Sequence, residues 1–418
     1  MIIKRDRYLQ KLIERRHSSY IKIITGIRRC GKSYLLKKLY YDYLLSEGVN
    51  KEQIIMVELD DDRFENQREK KQLREYIESK ASDSDRQYYI FIDEVQIVKD
   101  FEGTVISINN HDNYDVYITG SNSEFLSKDI STRFKDRGSE IRVHPLSFEE
   151  YYNAYQGDKR YALTDYLTYG GMPRLFDEKT EADKISYLNN LINRTYLSDV
   201  VERNNLRLPE EMSSLFDLLC SSTGSLVSPN SIAGTLQADK HIKIDGETIF
   251  SYIQYLEDAF IFEKARRYNI KGKEYLKTPF KLYPEDVGLR NARINFRQQD
   301  KGFGIENVVY NELRNRGYAV DVGLLETRER NTEGKQVYKQ NEVDFVARFA
   351  SKEYYIQVMN EVPEGQHKEN EYSNLIKVPG SFKKIAIINT PFKSYTDENG
   401  ILIISLEEFL VNQSSLDL

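Results

Sequence analysis

The chain contains no tryptophan, two cysteines, five histidines and nine prolines in 418 residues. Cys30 and Cys220 lie far apart in sequence, which excludes a disulfide framework or a cysteine-rich zinc site and points to a reducing, cytoplasmic compartment. The histidines show no metal-ligand spacing. No window holds about eighteen uninterrupted apolar residues, so no membrane-spanning helix is expected. The opening MIIKRDRYLQKLIERR lacks the apolar core of a secretory leader. Internal repeats and low-complexity tracts are missing too, and the tyrosines are scattered without a stacking period. A net charge of −6 argues against a general nucleic-acid-binding coat but leaves room for a local basic patch. The length suits two or three domains of roughly 100–200 residues each.

What is present begins with GIRRCGKSYLLKKLY, residues 26 to 40. Gly26, Gly31, Lys32 and Ser33 fit G-x-x-x-x-G-K-[ST]. Upstream, IKIIT reads as a buried strand; downstream, Leu35, Leu36, Leu39 and Tyr43 recur at helical spacing. Strand, glycine loop and helix make a phosphate cradle. Glycines let backbone N–H groups close around a phosphate without a Cβ clash, and the helix N-terminus adds partial positive charge. Gly26, Ile27, Arg28, Arg29, Cys30, Gly31, Lys32, Ser33 and Tyr34 are therefore the expected nucleotide-binding segment. Lys32 is expected on the β- and γ-phosphates, Ser33 on Mg²⁺, and Cys30 as a loop residue with no redox part.

Such a site needs a second strand ending in carboxylates. YYIFIDEV, 88 to 95, supplies Asp93 as the Mg²⁺ partner and Glu94 to orient or deprotonate the attacking water. A general base favours water as nucleophile, hence hydrolysis of ATP. The strand DVYITGSNS, 115 to 123, ends in small polar residues, of which Asn122, with Ser121 or Ser123, is placed to sense the γ-phosphate. With IIMVELDD, 54 to 61, these strands alternate with helical runs and predict a doubly wound parallel sheet.

GIRRCGKS, IFIDEV, ITGSNS, STRFKDRGSEIRVHPLSFEEYY and TYGGMPRLF, in that order, resemble a prokaryotic family of AAA-like ATPases related to the AAA+ and STAND groups. Members carry a C-terminal region labelled a domain of unknown function. FKLYPEDVGLRNA, GIENVVYNELRNRGY and NEVDFVARF extend the resemblance over nearly the whole chain. It implies ATP binding and hydrolysis. It also implies an arginine before the strand leading to PLSF, Arg137 or alternatively Arg133, that stabilises γ-phosphate charge in cis or from a neighbouring subunit. The GGMP run resembles an adenine-contacting element, with Pro173 near the base.

Past about residue 155 the pattern turns helical, and 209 to 283 reads as a winged helix: PEEMSSLFDLLCSST, SPNSIAGTL capped by Ser228, DGETIFSYIQYLEDAF, then two wing strands. Residues 260 to 281 hold seven Lys/Arg against Glu263 and Glu274. Arg266, Arg267, Lys271 and Lys273 are candidate contacts to a nucleic-acid backbone. The helix before them is acidic at its ends (Asp245, Glu247, Glu257, Asp258), which does not suit base-edge reading.

In the last part, Glu306 on a helix, Asp344 on a strand and Gln357-Val358-Met359 on the next strand follow the layout of the PD-(D/E)xK nuclease fold. There a third acid and a lysine complete an Mg²⁺ site. Here an amide and a methionine stand in those places, so cleavage is expected to be lost unless Lys352 or Lys368 takes the lysine's part.

The expected fold class is α/β. A P-loop parallel sheet flanked by helices, 1–155, precedes an α-helical and winged-helix domain, 156–283. A restriction-endonuclease-like α/β domain follows, 284–418. The expected function is an ATP- and Mg²⁺-dependent switch answering to a protein partner, with oligomers allowed and no membrane. The alternatives are an ATP-dependent DNA-processing protein and a nucleotide-binding interaction module that barely turns over.

Overall fold

Ile21, Ile23 and Ile24 stiffen the backbone into the extended form and make β1 (Ile21–Thr25) a strand buried along its whole length. The computed structural model describes residues 2–120, 134, 136–206, 209–297, 301–330, 336–361 and 374–418. These form two compact units, Met1–Pro145 with Asp258–Phe260, and Leu146–Glu257 with Ile261–Leu418.

The first unit opens with helix α1 (Asp6–Glu14) and then β1. Helix α2 follows in three contiguous segments, Lys32–Tyr34, the π-helical Leu35–Tyr40, and Tyr41–Ser46. The π-helical middle has no signature in the sequence. Then come β2 (Ile54–Glu58), α3 (Lys70–Lys80), β3 (Tyr88–Asp93), α4 (Glu102–Asn109), β4 (Tyr114–Thr119) and β5 (Gly138–Arg142). The five strands pair parallel in the order β2-β3-β4-β1-β5, as the alternation of strands and helices predicts. The chain leaves interior β1 for the far edge, so the loop after β1 opens at the switch point where ligands of such sheets bind. Ile21, Ile23, Val57, Leu73, Ile90, Ile92, Val105 and Ile118 join one apolar core.

Lys22 is the exception in β1. It is fully buried and hydrogen-bonded to Asp115 of β4. Tyr117 Oη and the His17 backbone N–H donate to the other Asp115 oxygen at 2.8 and 3.0 Å. A buried charge needs such a set of partners.

The second unit begins with helices α5 (Phe148–Ala154), α6 (Ala162–Tyr169), α7 (Glu181–Asn190), α8 (Pro209–Ser221), α9 (Pro229–Lys240) and α10 (Gly246–Asp258). Ser228 caps α9, accepting from the Ser231 N–H, with Pro229 in the first turn. Strands β6 (Phe262–Asn269) and β7 (Glu274–Pro284) form an antiparallel hairpin, and Val227 bridges to Phe280 on it. The remaining elements are α11 (Val287–Arg293), α12 (Lys301–Asn315), β8 (Ala319–Arg330), β9 (Gln336–Phe349), β10 (Lys352–Met359), β11 (Lys383–Ile388), β12 (Tyr395–Thr396), β13 (Ile401–Ser405) and α13 (Leu406–Val411). One mixed eight-stranded sheet runs β12-β13-β11-β10-β9-β8-β6-β7. The hairpin expected as a wing thus pairs through β6 with β8, and the sheet runs across the boundary expected at 283/284. Among the described residues no helix is long and apolar enough to cross a membrane.

Candidate functional site

The loop between β1 and α2 is shaped by its glycines. Gly26 has φ +136 and passes so close to Val143 that a Cβ would lie 2.0 Å from its carbonyl oxygen. Gly31, φ +105, turns the chain into α2. Arg29 adopts a left-handed φ of 66 between them. Arg28 and Arg29 are exposed, while Ile27 and Cys30 are buried. The Cys30 thiol donates to Val143 O at 3.2 Å, and Arg5 Nη1 donates to Cys30 O at 3.0 Å. Cys30 is therefore a packing and loop-fixing residue. Lys32 is buried, and its ammonium donates to the Gly26 and Ile27 carbonyls at 3.0 and 3.1 Å, inside the curl of the loop. Tyr34 Oη is buried without a hydrogen-bond partner among the described residues.

Asp93 ends β3 beside this loop and is 4% exposed. Ser33 Oγ donates to its Oδ1 at 3.0 Å, and Thr119 at the end of β4 donates to the same oxygen. The Glu94 N–H donates to Thr119 Oγ1 at 3.0 Å. Glu94 takes a left-handed φ of 53, uncommon for a residue with a Cβ, and its carboxylate accepts from Gln96 Nε2. P-loop, Ser33, Asp93 and Glu94 thus converge at the exit ends of three neighbouring strands. Ser33 Oγ and Asp93 Oδ1 are hard oxygen donors and fit Mg²⁺.

Three residues that the motifs do not include, Lys37, Glu58 and Asp60, complete the site. Lys37, one turn beyond Ser33, reaches Asp93 Oδ2 at 2.7 Å and Glu58 Oε2 at 2.7 Å. Burial pulls the Lys37 pKa down, but its hydrogen bonds to Asp93 and Glu58 outweigh that and raise it. Asp60 is held above the usual carboxylate value by burial and by the charge of Asp93.

Asn122, Ser121, Ser123 and Arg133 lie outside the described residues. Arg137 is exposed, donates to Asn110 Oδ1 at 2.8 Å, and precedes β5, with its carbonyl accepting from the Ile21 N–H at 2.7 Å. That is the entry end of the sheet, whereas the P-loop leaves the exit end. The five residues of β1 separate them, roughly 16 Å of strand. Arg137 therefore enters the sheet at the end opposite the loop. Pro173 opens a turn, Pro173–Phe176, in the second unit. Before it, the Gly171 N–H donates to Asp286 Oδ2 at 2.7 Å.

Also in the second unit, Glu306 of α12, Asp344 and Glu342 of β9 and Gln357 of β10 do come together. Gln357 Nε2 and the Val358 N–H donate to Asp344 Oδ2 at 2.7 and 2.8 Å. The cation among them is Lys281 of β7, 3% exposed, at 2.9 Å from Glu306 Oε1 and 2.7 Å from Glu342 Oε1. Tyr283 Oη donates to the same Glu306 oxygen at 2.6 Å. Lys352, proposed as a relocated lysine, instead pairs at the surface with Asp417 at 2.8 Å, and Lys368 lies outside the described residues.

On the hairpin, Arg266, Lys271 and Lys273 are exposed. Arg266 lies 4.7 Å from the centroid of the Tyr275 ring, and Lys271 Nζ donates to Glu326 O at 2.9 Å. Arg267 is removed from that surface: it is buried and donates to Gln340 Oε1 at 3.3 Å. Neighbouring residues of a strand point to opposite faces.

Residues 18–152 match the AAA domain family, and residues 160–300 match a domain of unknown function, DUF8612. An uncharacterized protein of Haemophilus influenzae is 34% identical over 415 residues, 98% of this chain and 99% of its own length. One from Methanocaldococcus jannaschii is 29% identical over 394 residues, 90% of this chain and 82% of its own. Among solved structures, the Aeropyrum pernix ORC1 protein in complex with DNA overlaps 71% of this chain and 93% of that chain, at 13% identity and TM-score 0.31. Cdc6p from Pyrobaculum aerophilum overlaps 71% and 94%, at 10% identity and TM-score 0.30. At those TM-scores neither overlap carries an argument about ligand or partner.

Proposed function

Since the chain belongs to one family with the Haemophilus influenzae protein and carries the AAA domain, we propose that it is a Mg²⁺-dependent ATP-hydrolysing switch. Its nucleotide state then governs the helical and C-terminal regions. The chain is an AAA-family P-loop protein built to bind ATP. The observation that supports hydrolysis as well is the convergence of Ser33, Asp93 and Glu94 beside the loop that curls over Lys32.

In this reading the loop N–H groups and Lys32 bind the phosphates, and Glu94 orients the attacking water and takes its proton. Ser33 and Asp93 would hold Mg²⁺, which when bound neutralises charge building on the phosphoryl oxygens. Thr119 holds both the Asp93 carboxylate and the Glu94 backbone, so it positions the two acids together. Lys32→Ala is expected to abolish ATP binding. Glu94→Gln is expected to bind ATP and stop hydrolysis. Turnover at the wild-type rate in Glu94→Gln would show that Glu94 is not the base.

For the second unit we read α8 to α10 and the β6–β7 hairpin as a winged helix, and α12 with β8 to β11 as a nuclease-like fold without cleavage. The amide at Gln357 and the methionine at Met359 support that loss. A DNA-contacting role rests on the exposed Arg266, Lys271 and Lys273. ATP turnover with and without duplex DNA at two salt concentrations tests it: stimulation that fades with salt supports the hairpin as a phosphate-binding surface, and indifference to DNA favours a protein partner.

A further inference from the structure

Lys37 has a place in the ATP site that the P-loop motif does not assign, and its reading rests on the ATP and Mg²⁺ proposal above. The strands β2 and β3 pair with Glu58 directly opposite Asp93, so two carboxylates leave neighbouring strand ends side by side. Asp60 adds a third acid two residues further on. Acids grouped in this way repel one another and attract hard cations. Lys37 is the ammonium set between Glu58 and Asp93, 2.7 Å from each. It also divides the work of the Asp93 carboxylate. Oδ2 is held by Lys37, while Oδ1 is turned toward Ser33 and Thr119. The four-residue step from Ser33 to Lys37 on α2 puts both side chains over the same strand ends.

We propose that Lys37 is a charge-screening and positioning residue of the nucleotide site. It offsets half of the Glu58–Asp93 charge and occupies the space between the two carboxylates, so that bare divalent cations do not collect there, and it fixes Asp93 with Oδ1 toward Ser33. Metal then binds well only together with the negative charge of a polyphosphate. Screening of this kind makes metal affinity conditional on nucleotide, a coupling that a motif alone does not supply.

The test uses the full chain and Mn²⁺ alone as probe, with free Mn²⁺ read by electron paramagnetic resonance. Lys37→Met keeps most of the stem and removes the charge. It is expected to bind Mn²⁺ without nucleotide at least about tenfold more tightly than wild type. Lys37→Arg is expected to stay near wild type, and Lys37→Met/Glu58→Gln to lose the gained affinity. Equal Mn²⁺ affinity in wild type and Lys37→Met overturns the proposal, as does a gain that survives Glu58→Gln. Lys37→Gln serves as the second uncharged variant if Lys37→Met does not fold. Binding of a fluorescent ATP analogue, measured separately in excess chelator, reports on the P-loop reading. If wild type binds no nucleotide, that reading fails while the Mn²⁺ comparison still decides the role of Lys37.

Discussion

Lys281 Nζ lies 2.9 Å from Glu306 Oε1 and ties strand β7 to helix α12 through a pair that is almost closed to solvent. Burial pulls the Lys281 pKa down, but the charges of Glu306, Asp344 and Glu342 outweigh it and hold the ammonium well above the usual lysine value. Burial, and then the charge of Glu306, push the Asp344 carboxyl above the usual carboxylate range. Removing only the cation leaves that charge uncompensated. Lys281→Met is expected to cost about 3–5 kcal/mol in urea denaturation. Lys281→Met/Glu306→Gln is expected to recover much of that. A double variant no more stable than the single one would mean that the ion pair is not what holds the cluster.

Local chemistry was legible in the sequence, and convergence in space was not. Gly26 to Ser33 and Asp93-Glu94 could be read because motif spacing and strand ends are local properties. Lys37 and Glu58 could not, because only the pairing of β2 beside β3 brings Glu58 level with Asp93. Lys281 and Arg267 were counted with a basic patch because formal charge ignores which face a side chain occupies. In β6 the burial of Ala265, Arg267 and Asn269 with Arg266 exposed is the strand period at work, so alternation was the signal that separates Arg266 from Arg267. The same reasoning explains Arg137. Its sequence position before β5 was visible, and its distance from the P-loop needed the strand order.

Asp286 carries a pH signature. Its carboxylate is buried, and accepts from the N–H groups of Gly171, Gly288 and Leu289 at 2.7, 2.9 and 3.1 Å, fastening the GGMP loop to the start of α11. Burial pushes its pKa up to about 6, with these hydrogen bonds acting against the rise. The unfolded value is near 3.9, so the native state binds the proton more tightly. The stability contributed by that proton is complete below about pH 4 and is lost as pH rises through about 6. Wild type measured against Asp286→Asn is therefore expected to lose stability across that window, by up to about 3 kcal/mol. A difference that stays flat from pH 4 to 7, followed by urea denaturation, would place the Asp286 pKa at its ordinary value.

Arg137 gives the test of assembly. The length of β1 separates it from the P-loop of its own chain, so a contact with the γ-phosphate is expected to come from a second copy. Arg137→Ala is expected to keep nucleotide affinity and to lose about 10³-fold in turnover. Lys32→Ala is expected to be inactive for a different reason, since it retains the arginine and lacks the phosphate-binding lysine. Mixing the two inactive proteins creates interfaces that join an intact P-loop to an intact Arg137. Part of the turnover should then return, rising with protein concentration. If the mixture stays as inactive as its components while wild type is active, Arg137 is a surface cation, and its bond to Asn110 is its whole role.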